Sequence, residues 1–490
     1  MSLTIIIIYS FFSLFIVCYS IVQLSLVVSY LRNRNKIATE IEKFADTQYF
    51  PNVTVQLPVF NELYVIERLI DCVANFNYPK EKLEIQILDD STDETVDIIA
   101  KKVAYWKEKG LDIVQVIRPE RKGFKAGALD YGMQFCKGEF IAIFDADFVP
   151  EIDFLIKTIP YFQDKKIGVV QTRWEHINKE YSILTKLQAF ALDAHFSVEQ
   201  TGRNKAGHFI NFNGTAGVWR KETIEDGGGW NADTLTEDLD LSYRAQLKGW
   251  KFLFKEDIGS PAELPAEMNA LKAQQFRWTK GAAECTVKNL GKVIKHSNYH
   301  FWTKINAIFH LMNSFLFIAI FTIAILSIPL FIFKQKHPEF DTFYKLATIS
   351  LFSFLVIGIM YFTSFSRSYK NKGIAFLHFM YYFPLFLSFS MGLSFHNSIA
   401  VIEGYRGKKS PFIRTPKFNL NKKSGHWKGS QYKTKIKWVT IVEGLLASYF
   451  IWGITLCFAW GDYGMLPLFI MLAVGFGVIF YYSIKHSLTS

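Results

Sequence analysis

The sequence predicts an α/β domain with a doubly wound, mostly parallel sheet, joined to a multi-pass α-helical membrane domain. From about residue 48 to residue 298, short apolar β-rich runs alternate with helical patterns, which indicates a parallel sheet covered by helices on both faces. Uncharged apolar stretches long enough to cross a bilayer stand on either side of this region. Apolar residues make up 50% of the chain and aromatic residues 17%, and both values favour membrane segments.

The N-terminal segment, residues 1–31, is predicted to be a transmembrane anchor. Residues 4–30 carry no charge, and the segment lacks the basic start and the small-residue cleavage site of a removed signal peptide. The basic stretch LRNRNK follows at once, which places the downstream side in the cytosol by the positive-inside rule. We therefore expect the domain at residues 48–298 to be cytosolic.

Strands and helices alternate in order along the α/β domain. The predicted strands are NVTVQLPVF, EIQILDD, IVQVIRP and FIAIFDAD, and the predicted helices are ELYVIERLIDCVANF, ETVDIIAKKVAYWKEKG and KAGALDYGMQFCKG. In sheets of this kind, ligands bind beyond the carboxyl ends of the strands. The residues that follow each strand are therefore the first candidates for a site.

The membrane domain is predicted to extend over residues 299–485, with spans at about 312–333, 346–365, 438–460 and 465–482. The apolar run 374–401 is predicted to be interfacial or re-entrant, because the loops on both sides of it are basic and short basic loops stay in the cytosol. The loop at residues 403–437 contains eleven Lys or Arg and one Glu. We expect five crossings and a cytosolic loop that lies over the α/β domain, where Trp427 and the basic residues can close on a bound ligand. Glu443, just inside the next span, is expected to line a path through the membrane.

Charge and cysteine content restrict the function classes. The formal net charge is +11, and such an excess suits nucleic acid, anionic lipid or a phosphorylated substrate. The positions of the basic residues in the chain favour anionic lipid or a phosphorylated substrate, so no nucleic-acid partner is expected. The five cysteines include no C-x-x-C pair, so neither a disulfide framework nor a zinc site is indicated, and the pattern fits a reducing compartment.

Two acidic pairs end predicted strands, Asp89–Asp90 and Asp145–Asp147. Either pair alone is commonly a turn, because Asp begins turns and Ser91 with Glu94 fits a capping box. Both together at one edge of a parallel sheet point to a shared crevice. Mg²⁺ or Mn²⁺ prefers such hard oxygen ligands together with phosphate oxygens. An extended backbone would send both side chains of the D-A-D motif to one side.

Basic and aromatic residues complete the pattern. The stretch RPERKGFKAGAL places Arg121, Lys122 and Lys125 at a helix start, which suits a diphosphate, although a solvated basic turn is the alternative. In LKAQQFRWTKG, Gln274 and Arg277 share a helix face with Trp278 beside them. An Arg can bind phosphate and a Trp can stack on a sugar ring, whereas an amphipathic helix with one interfacial Trp is the simpler interpretation.

The stretch TLTEDLD carries three carboxylates at the start of a predicted helix, and they have a structural interpretation. Thr234 and Glu237 fit a capping box as N-cap and N3. Acidic side chains in a first helical turn, here Glu237, Asp238 and Asp240, also suit the helix dipole.

The ordered set LDDSTD, DAD, TED and QQFRW resembles the processive, inverting glycosyltransferases of family 2, which include cellulose, chitin and hyaluronan synthases. Several longer stretches are most similar in sequence to the plant cellulose-synthase-like mannan and glucan synthases, namely VQLPVFNE, ILDDSTDET, GFKAGAL, FNGTAGVWR and ELPAEMNALKAQQFRW. The resemblance covers residues 53–280 densely. It implies a nucleotide-sugar-binding fold like that of type A glycosyltransferases.

The resemblance also implies roles for individual residues. It implies Asp238 as the catalytic base with Glu237 beside it, and Asp145 and Asp147 as ligands of Mg²⁺ or Mn²⁺. It implies the remaining contacts to the nucleotide sugar from Asp89, Asp90, Lys122, Lys125, Gln274 and Arg277, and to the acceptor from Trp278, Asn213, Gly214 and Thr215.

The expected function is transfer of a hexose from a nucleotide sugar, UDP-glucose or GDP-mannose, to a growing β-linked polysaccharide, coupled to export through the lipid bilayer. Two alternatives stay open: single addition to a lipid acceptor, and an inactive membrane partner subunit. The membrane would be the plasma membrane in a bacterium or the Golgi in a eukaryote. The chain ends eight residues after Tyr482, so control through a C-terminal cyclic-dinucleotide domain is not expected.

Overall fold

The computed structural model describes residues 2–34, 49–337, 350–410, 414–420 and 438–489. Within these ranges it confirms the predicted fold class, an α/β domain with a mostly parallel sheet and a set of long apolar helices. Trp427 lies outside the described residues.

Seven strands form one sheet in the order β3-β2-β1-β4-β6-β5-β7. Only β6 is antiparallel to its neighbours, and the remaining pairs are parallel. The parallel pairing follows from the alternation of strands and helices along the chain. Two parallel neighbouring strands need a crossover connection, usually a helix, that returns the chain over one face of the sheet. The strands are β1 Val53–Val59, β2 Leu83–Asp89, β3 Asp112–Ile117, β4 Phe140–Ile143, β5 Ile167–His176, β6 Gly217–Arg220 and β7 Lys251–Ala262.

Nine helices belong to the α/β part of the described chain or to its border with the membrane part. They are α2 Ile66–Ala74, α3 Thr95–Glu108, α4 Phe124–Met133, α5 Phe154–Thr158, α6 Ile183–Ala194, α7 Gln200–Lys205, α8 Lys221–Asp226, α9 Glu237–Leu247 and α10 Met268–Lys295. A π-helical turn, His195–Glu199, joins α6 to α7. Helix α10 carries the Q-x-x-R-W sequence and packs against both the α/β part and the apolar helices.

The apolar helices are α1 Ser2–Asn33, α11 Phe301–Leu311, α12 Phe315–Lys336, α13 Ser350–Phe365, α14 Lys372–Gly392, α15 Ser394–Tyr405, α16 Trp438–Trp460 and α17 Leu466–Thr489. Six segments of the described chain are long and apolar enough to cross a membrane, and they include Lys372–Gly392. The chain is therefore a membrane protein. Lys272 Nζ lies 2.8 Å from both carboxylate oxygens of Glu443, so this fully buried acid ties α10 to α16 and does not line an open path.

The apolar run 374–401 is divided between α14 and α15, with a break at Leu393. Both flanks contact the α/β domain: Arg367 pairs with Glu256 before the run, and Glu403 pairs with Lys280 at its end. A run that begins and ends at the same domain can leave its two flanking loops on one side of the membrane. The number of crossings stays a prediction, because Lys372–Gly392 is long enough to span.

Candidate active site

One cavity of about 190 Å³ lies at the carboxyl ends of β1, β2 and β4. It is bounded by residues from the acidic motifs, from α9 and α10, and from the 414–420 segment. The site residues predicted from the sequence that line it are Asp90, Lys125, Asp145, Asp147, Asn213, Gly214, Glu237, Asp238, Gln274, Arg277 and Trp278. Four sequence motifs that are far apart in the chain therefore meet in one space.

The D-A-D motif lies in a turn, because β4 ends at Ile143 and Phe148 N–H donates to Asp145 C=O at 3.1 Å. The prediction that an extended backbone aims both carboxylates was wrong, although both line the cavity. The Asp145 N–H donates to Thr215 Oγ1 at 2.8 Å, which fixes the start of the turn. Each carboxylate contacts an ammonium group, Asp145 that of Lys125 and Asp147 that of Lys417.

Helix α9 begins at Glu237 with Thr236 as N-cap, and no side chain caps it. The predicted capping box was wrong, since the helix starts two residues later than expected and Thr234 Oγ1 has no hydrogen-bond partner among the described residues. Asp240 faces away from the cavity: it bonds Arg244 and Lys288, each at 2.8–2.9 Å. Of the three clustered carboxylates, only those of Glu237 and Asp238 line the cavity.

Burial and, to a lesser extent, the neighbouring Glu237 carboxylate together raise the pKa of Asp238 to about 7. Burial also raises the pKa of Glu237. The Lys125 ammonium opposes both shifts, because a nearby cation favours the charged carboxylate. A carboxylate with a pKa near the working pH is well suited to accept a proton.

If Asp238 is the predicted base, the rate of the catalysed reaction is expected to rise as pH rises through about 7, since a base with a raised pKa is protonated and inactive below it. Lys125→Met should move the midpoint of this profile to higher pH, because it removes a cation that lowers the pKa of Asp238. The pH dependence of kcat in both proteins measures the shift. Lys137→Met is the control, since Lys137 is an exposed residue that pairs with Asp112. A midpoint near pH 4 in the wild type would contradict the assignment.

The Q-x-x-R-W residues lie on the first half of α10 and face the cavity. Burial lowers the pKa of Arg277, and the carboxylates of Asp145 and Glu237 oppose that effect. The Trp278 ring lies 6.3 Å from the Trp174 ring, centroid to centroid, at an interplanar angle of 56°. Helix α10 therefore contributes a guanidinium and an aromatic ring to the lining of the cavity.

The FNGTAG stretch forms the floor between Lys125 and Asp238. Gly214 has φ +77°, and its C=O accepts from Lys125 Nζ at 2.8 Å. A Cβ at Gly214 would lie 3.2 Å from Asp238 Oδ2. The positive φ of this residue is also a backbone conformation that residues with a side chain avoid. Glycine is therefore required for the close approach of this loop to the predicted base.

Three predicted site residues do not line the cavity. Asp89 is 3% exposed and bonds Ser91 N–H and Gln115 Nε2, so it supports the loop behind Asp90. The Lys122 side chain is exposed to solvent away from the cavity. Thr215 is fully buried beneath Asp145. The predictions that these three side chains contact a ligand do not agree with their positions.

Asp90 lines the cavity with its carboxylate held by Arg118 at 2.7 Å and 2.6 Å. Arg121 lies with its guanidinium 3.3 Å from the centre of the Phe60 ring, and it also lines the cavity. Arg118 donates in addition to the backbone C=O groups of Lys122 and Phe124. The ion pair thus joins the end of β2 to the basic turn before α4.

Several cavity residues were not predicted from the sequence. Trp174 and His176 line it from β5, two residues apart on one face of the strand, and Glu263 lines it after β7. The Trp174 Nε1 atom is buried without a hydrogen-bond partner among the described residues. The sequence indicated these two residues only by their spacing, since residues two apart on a strand have side chains on the same face of the sheet.

The 414–420 segment lines the cavity through Arg414, Thr415 and Lys417. Arg414 forms two hydrogen bonds with the Glu62 carboxylate, at 2.8 Å and 2.7 Å. Lys417 contacts Asp147 Oδ2 at 2.6 Å and also contacts the Glu263 backbone C=O. The Glu263 carboxylate in turn accepts from the N–H groups of Phe418 and Leu420. Burial raises the pKa of Glu62 to about 7, opposed by the Arg414 guanidinium.

Asp145 and Asp147 have the donor chemistry for a divalent cation shared with a substrate. Both carboxylates face the cavity, and each contacts a cation of the chain. Among the described residues, no group of three or more His, Cys, Asp or Glu side chains surrounds a common point, so an all-protein cage is not formed there. Mg²⁺ typically takes one or two carboxylates together with phosphate oxygens, and this pair fits that mode.

Comparison with known proteins identifies the α/β domain. Residues 51–281 match the family described as "Glycosyltransferase like family 2". Residues 51–281 belong to glycosyltransferase family 2. The resemblance drawn from the ordered motifs is thereby confirmed.

Plant proteins are among the proteins to which this family 2 domain is similar. The chain is 44% identical over 274 residues to "Probable glucomannan 4-beta-mannosyltransferase 4" of Oryza sativa subsp. japonica, covering 55% of this chain and 49% of that protein. It is 41% identical over 273 residues to "Glucomannan 4-beta-mannosyltransferase 7" of Arabidopsis thaliana, covering 55% and 48%. The chain thus spans about half the length of these curated relatives. A solved structure, "Mannosyltransferase PcManGT from Pyrobaculum calidifontis in complex with GDP-Man and Mn2+", is 19% identical with a TM-score of 0.45, covering 69% of this chain and 97% of that one.

Proposed function

We propose that this chain is an inverting hexosyltransferase that extends a β-linked mannan or glucan from a nucleotide sugar. One observation carries the proposal: the predicted base Asp238, the Asp145–Asp147 pair and Arg277 with Trp278 line the same cavity. The identity to plant glucomannan 4-beta-mannosyltransferases supports GDP-mannose as the donor. Single addition to a lipid acceptor and an inactive partner subunit are the alternatives that the test below separates.

Asp238 takes the proton from the acceptor hydroxyl as that oxygen attacks the anomeric carbon of the donor. The raised pKa of Asp238 makes its carboxylate a stronger base than that of an exposed Asp. The adjacent Lys125 ammonium lowers this pKa, so a fraction of the Asp238 side chains is ionised near neutral pH. The attack is in line, so the configuration inverts once and no covalent sugar–enzyme intermediate is needed. A positioned base of this type contributes on the order of 10²–10⁴ in rate.

The leaving diphosphate is bound on the other side of the sugar. Arg277 can form a bidentate contact with phosphate oxygens, and Lys125 supplies a second cation next to Asp145. A divalent cation held by Asp145 and Asp147 supplies charge neutralisation for the leaving group when it is bound. Trp278 gives a stacking face to the acceptor end of the sugar chain.

The test of this function is synthesis in sealed vesicles with labelled GDP-mannose or UDP-glucose, followed by digestion with linkage-specific hydrolases. We expect labelled product that a β-mannanase releases, and a polymer that does not partition into organic solvent. A product that partitions into organic solvent would show single addition to a lipid. Absence of transfer from either donor by purified protein would leave the partner-subunit alternative.

The 414–420 segment is proposed to be part of a gate. A nucleotide sugar needs a pocket of several hundred Å³, whereas the cavity beneath this segment measures about 190 Å³. Lys417 also occupies one oxygen of Asp147 that a donor-bound cation would need. The segment therefore has to move outward to admit the donor, and its Arg414 and Lys417 can then contact the diphosphate as it closes.

A gate of this kind requires the loop at residues 403–437 to be cytosolic, which gives a topology prediction. A cysteine placed at Ser424 should resist an impermeant thiol reagent added outside right-side-out vesicles. Tyr463→Cys is the positive control, because Tyr463 is exposed in the turn between α16 and α17. With five crossings, this turn is expected on the outer side of the membrane. Ready modification at position 424 from outside would mean six crossings and no gate.

A further inference from the structure

A groove of about 570 Å³ lies between the end of α1, the end of α7 and the start of α11. Ile21, Leu24 and Val28 of α1 line it with apolar side chains, and Lys205 and Trp302 line it from α7 and α11. Among the described residues, none lines both this groove and the active-site cavity. The groove is therefore a separate space from the catalytic centre.

Helix α1 and the span that begins with α11 run antiparallel. The Phe12 and Phe315 ring centroids are 5.8 Å apart, and the Tyr19 and Phe309 ring centroids are 6.3 Å apart. Rising residue numbers along α1 thus meet falling residue numbers along the second span. The last turns of α1 consequently lie beside Trp302, at the same end of the two spans.

Helix α7 is held closely against α1. The Ser29 hydroxyl donates to the Gly202 C=O at 3.0 Å, and one turn earlier Gln23 Nε2 donates to the Glu199 carboxylate at 3.2 Å. A Cβ at Gly202 would lie 2.5 Å from a carbonyl oxygen of α1, so glycine is required for this approach. Because both pairs rise together in number, α1 and α7 run in the same direction.

Both cations that line the groove lie at the ends of these parallel helices. Arg32 is in the last turn of α1, and Lys205 is the last residue of α7. Within the described part of the chain, no Asp or Glu lines the groove. Tryptophan is typical of the headgroup level of a bilayer, which suits Trp302 beside them. Basic pockets between membrane helices bind anionic lipid headgroups.

We propose that this groove binds an anionic glycerophospholipid, with its phosphate beside Arg32 and Lys205 and an acyl chain along Ile21 and Leu24. Lipid tails are as apolar as these side chains, so an acyl chain fits the part of the groove that α1 lines. Two cations without a described carboxylate select an anionic headgroup over a zwitterionic one. The bound lipid joins α1, α7 and α11. This binding involves neither the nucleotide sugar nor the catalytic base.

The test is native mass spectrometry of the full chain in detergent micelles with added phosphatidylglycerol or phosphatidylcholine. We expect the wild type to bind the first phosphatidylglycerol about tenfold more tightly than phosphatidylcholine, as for two basic side chains at a membrane surface. The double variant Arg32→Gln with Lys205→Gln should bind the two lipids equally. Ser25→Phe should weaken phosphatidylglycerol binding, because the ring occupies the groove that Ser25 lines and both cations remain.

The matched control is the double variant Lys295→Gln with Lys304→Gln. It removes two cations from the end of α10 and the start of α11 that do not line the groove, and it should keep the wild-type preference. Equal binding of the two lipids by the wild type, or loss of the preference in this control, would overturn the proposal. So would unchanged phosphatidylglycerol binding by Ser25→Phe, or displacement of the lipid by an equimolar amount of inorganic phosphate.

Discussion

Asp238→Asn is expected to lower the rate of transfer by at least about 10² while donor binding persists. The substitution keeps the size of the side chain and removes its ability to accept a proton. Its carboxylate lines the cavity beside Gly214 and Lys125, and its raised pKa suits proton abstraction near neutral pH. Single-turnover rates measure the chemical step, and calorimetry with GDP or UDP measures binding.

The control for this variant is Asp226→Asn. Asp226 is an exposed carboxylate that pairs with Lys248 and accepts from Trp250 Nε1, outside the cavity. It should retain wild-type rates. Near-normal polymer synthesis by Asp238→Asn would show that another group accepts the proton, and Glu237 would be the next candidate because it lines the same cavity.

Removal of divalent cation is expected to abolish transfer, and Asp147→Ala is expected to remove the cation-dependent part of donor binding. Asp145 and Asp147 are the paired carboxylates of the cavity, and a diphosphate without a cation would face two acidic side chains. Calorimetric titration of the protein with GDP or UDP, once with Mn²⁺ and once with chelator, gives the cation-dependent part of the binding affinity directly. Asp153→Ala is the control, since Asp153 is a partly exposed carboxylate six residues away that pairs with Lys157. Full activity in excess chelator would refute this part of the account.

The fold was predictable because its signals are local. Apolar runs ending in Asp90 or in the D-A-D motif correspond to β2 and β4, and the helical runs between them form α3 and α4. Strand order and the mixed direction of β6 were not predictable, since they depend on packing between segments that are distant in sequence.

Within the site, the motif residues that were predicted to converge do so, whereas the details of their local geometry were not predicted. The D-A-D motif forms a turn that Thr215 holds from beneath, and Thr234 does not cap α9. These outcomes depend on tertiary contacts that override local preference. The same reason applies to the bonds of Arg414 with Glu62, which join residues 352 positions apart.

The anomeric configuration of the new bond tests the central claim most directly. Purified protein in nanodiscs is supplied with ¹³C-labelled donor, whose sugar is α-linked to the diphosphate, and the product is examined by NMR. We expect a β-linked product formed in one displacement, with no sugar attached to the protein at any time in quenched samples. An α-linked product, or a covalent sugar–protein adduct on the path to it, would contradict in-line attack assisted by Asp238.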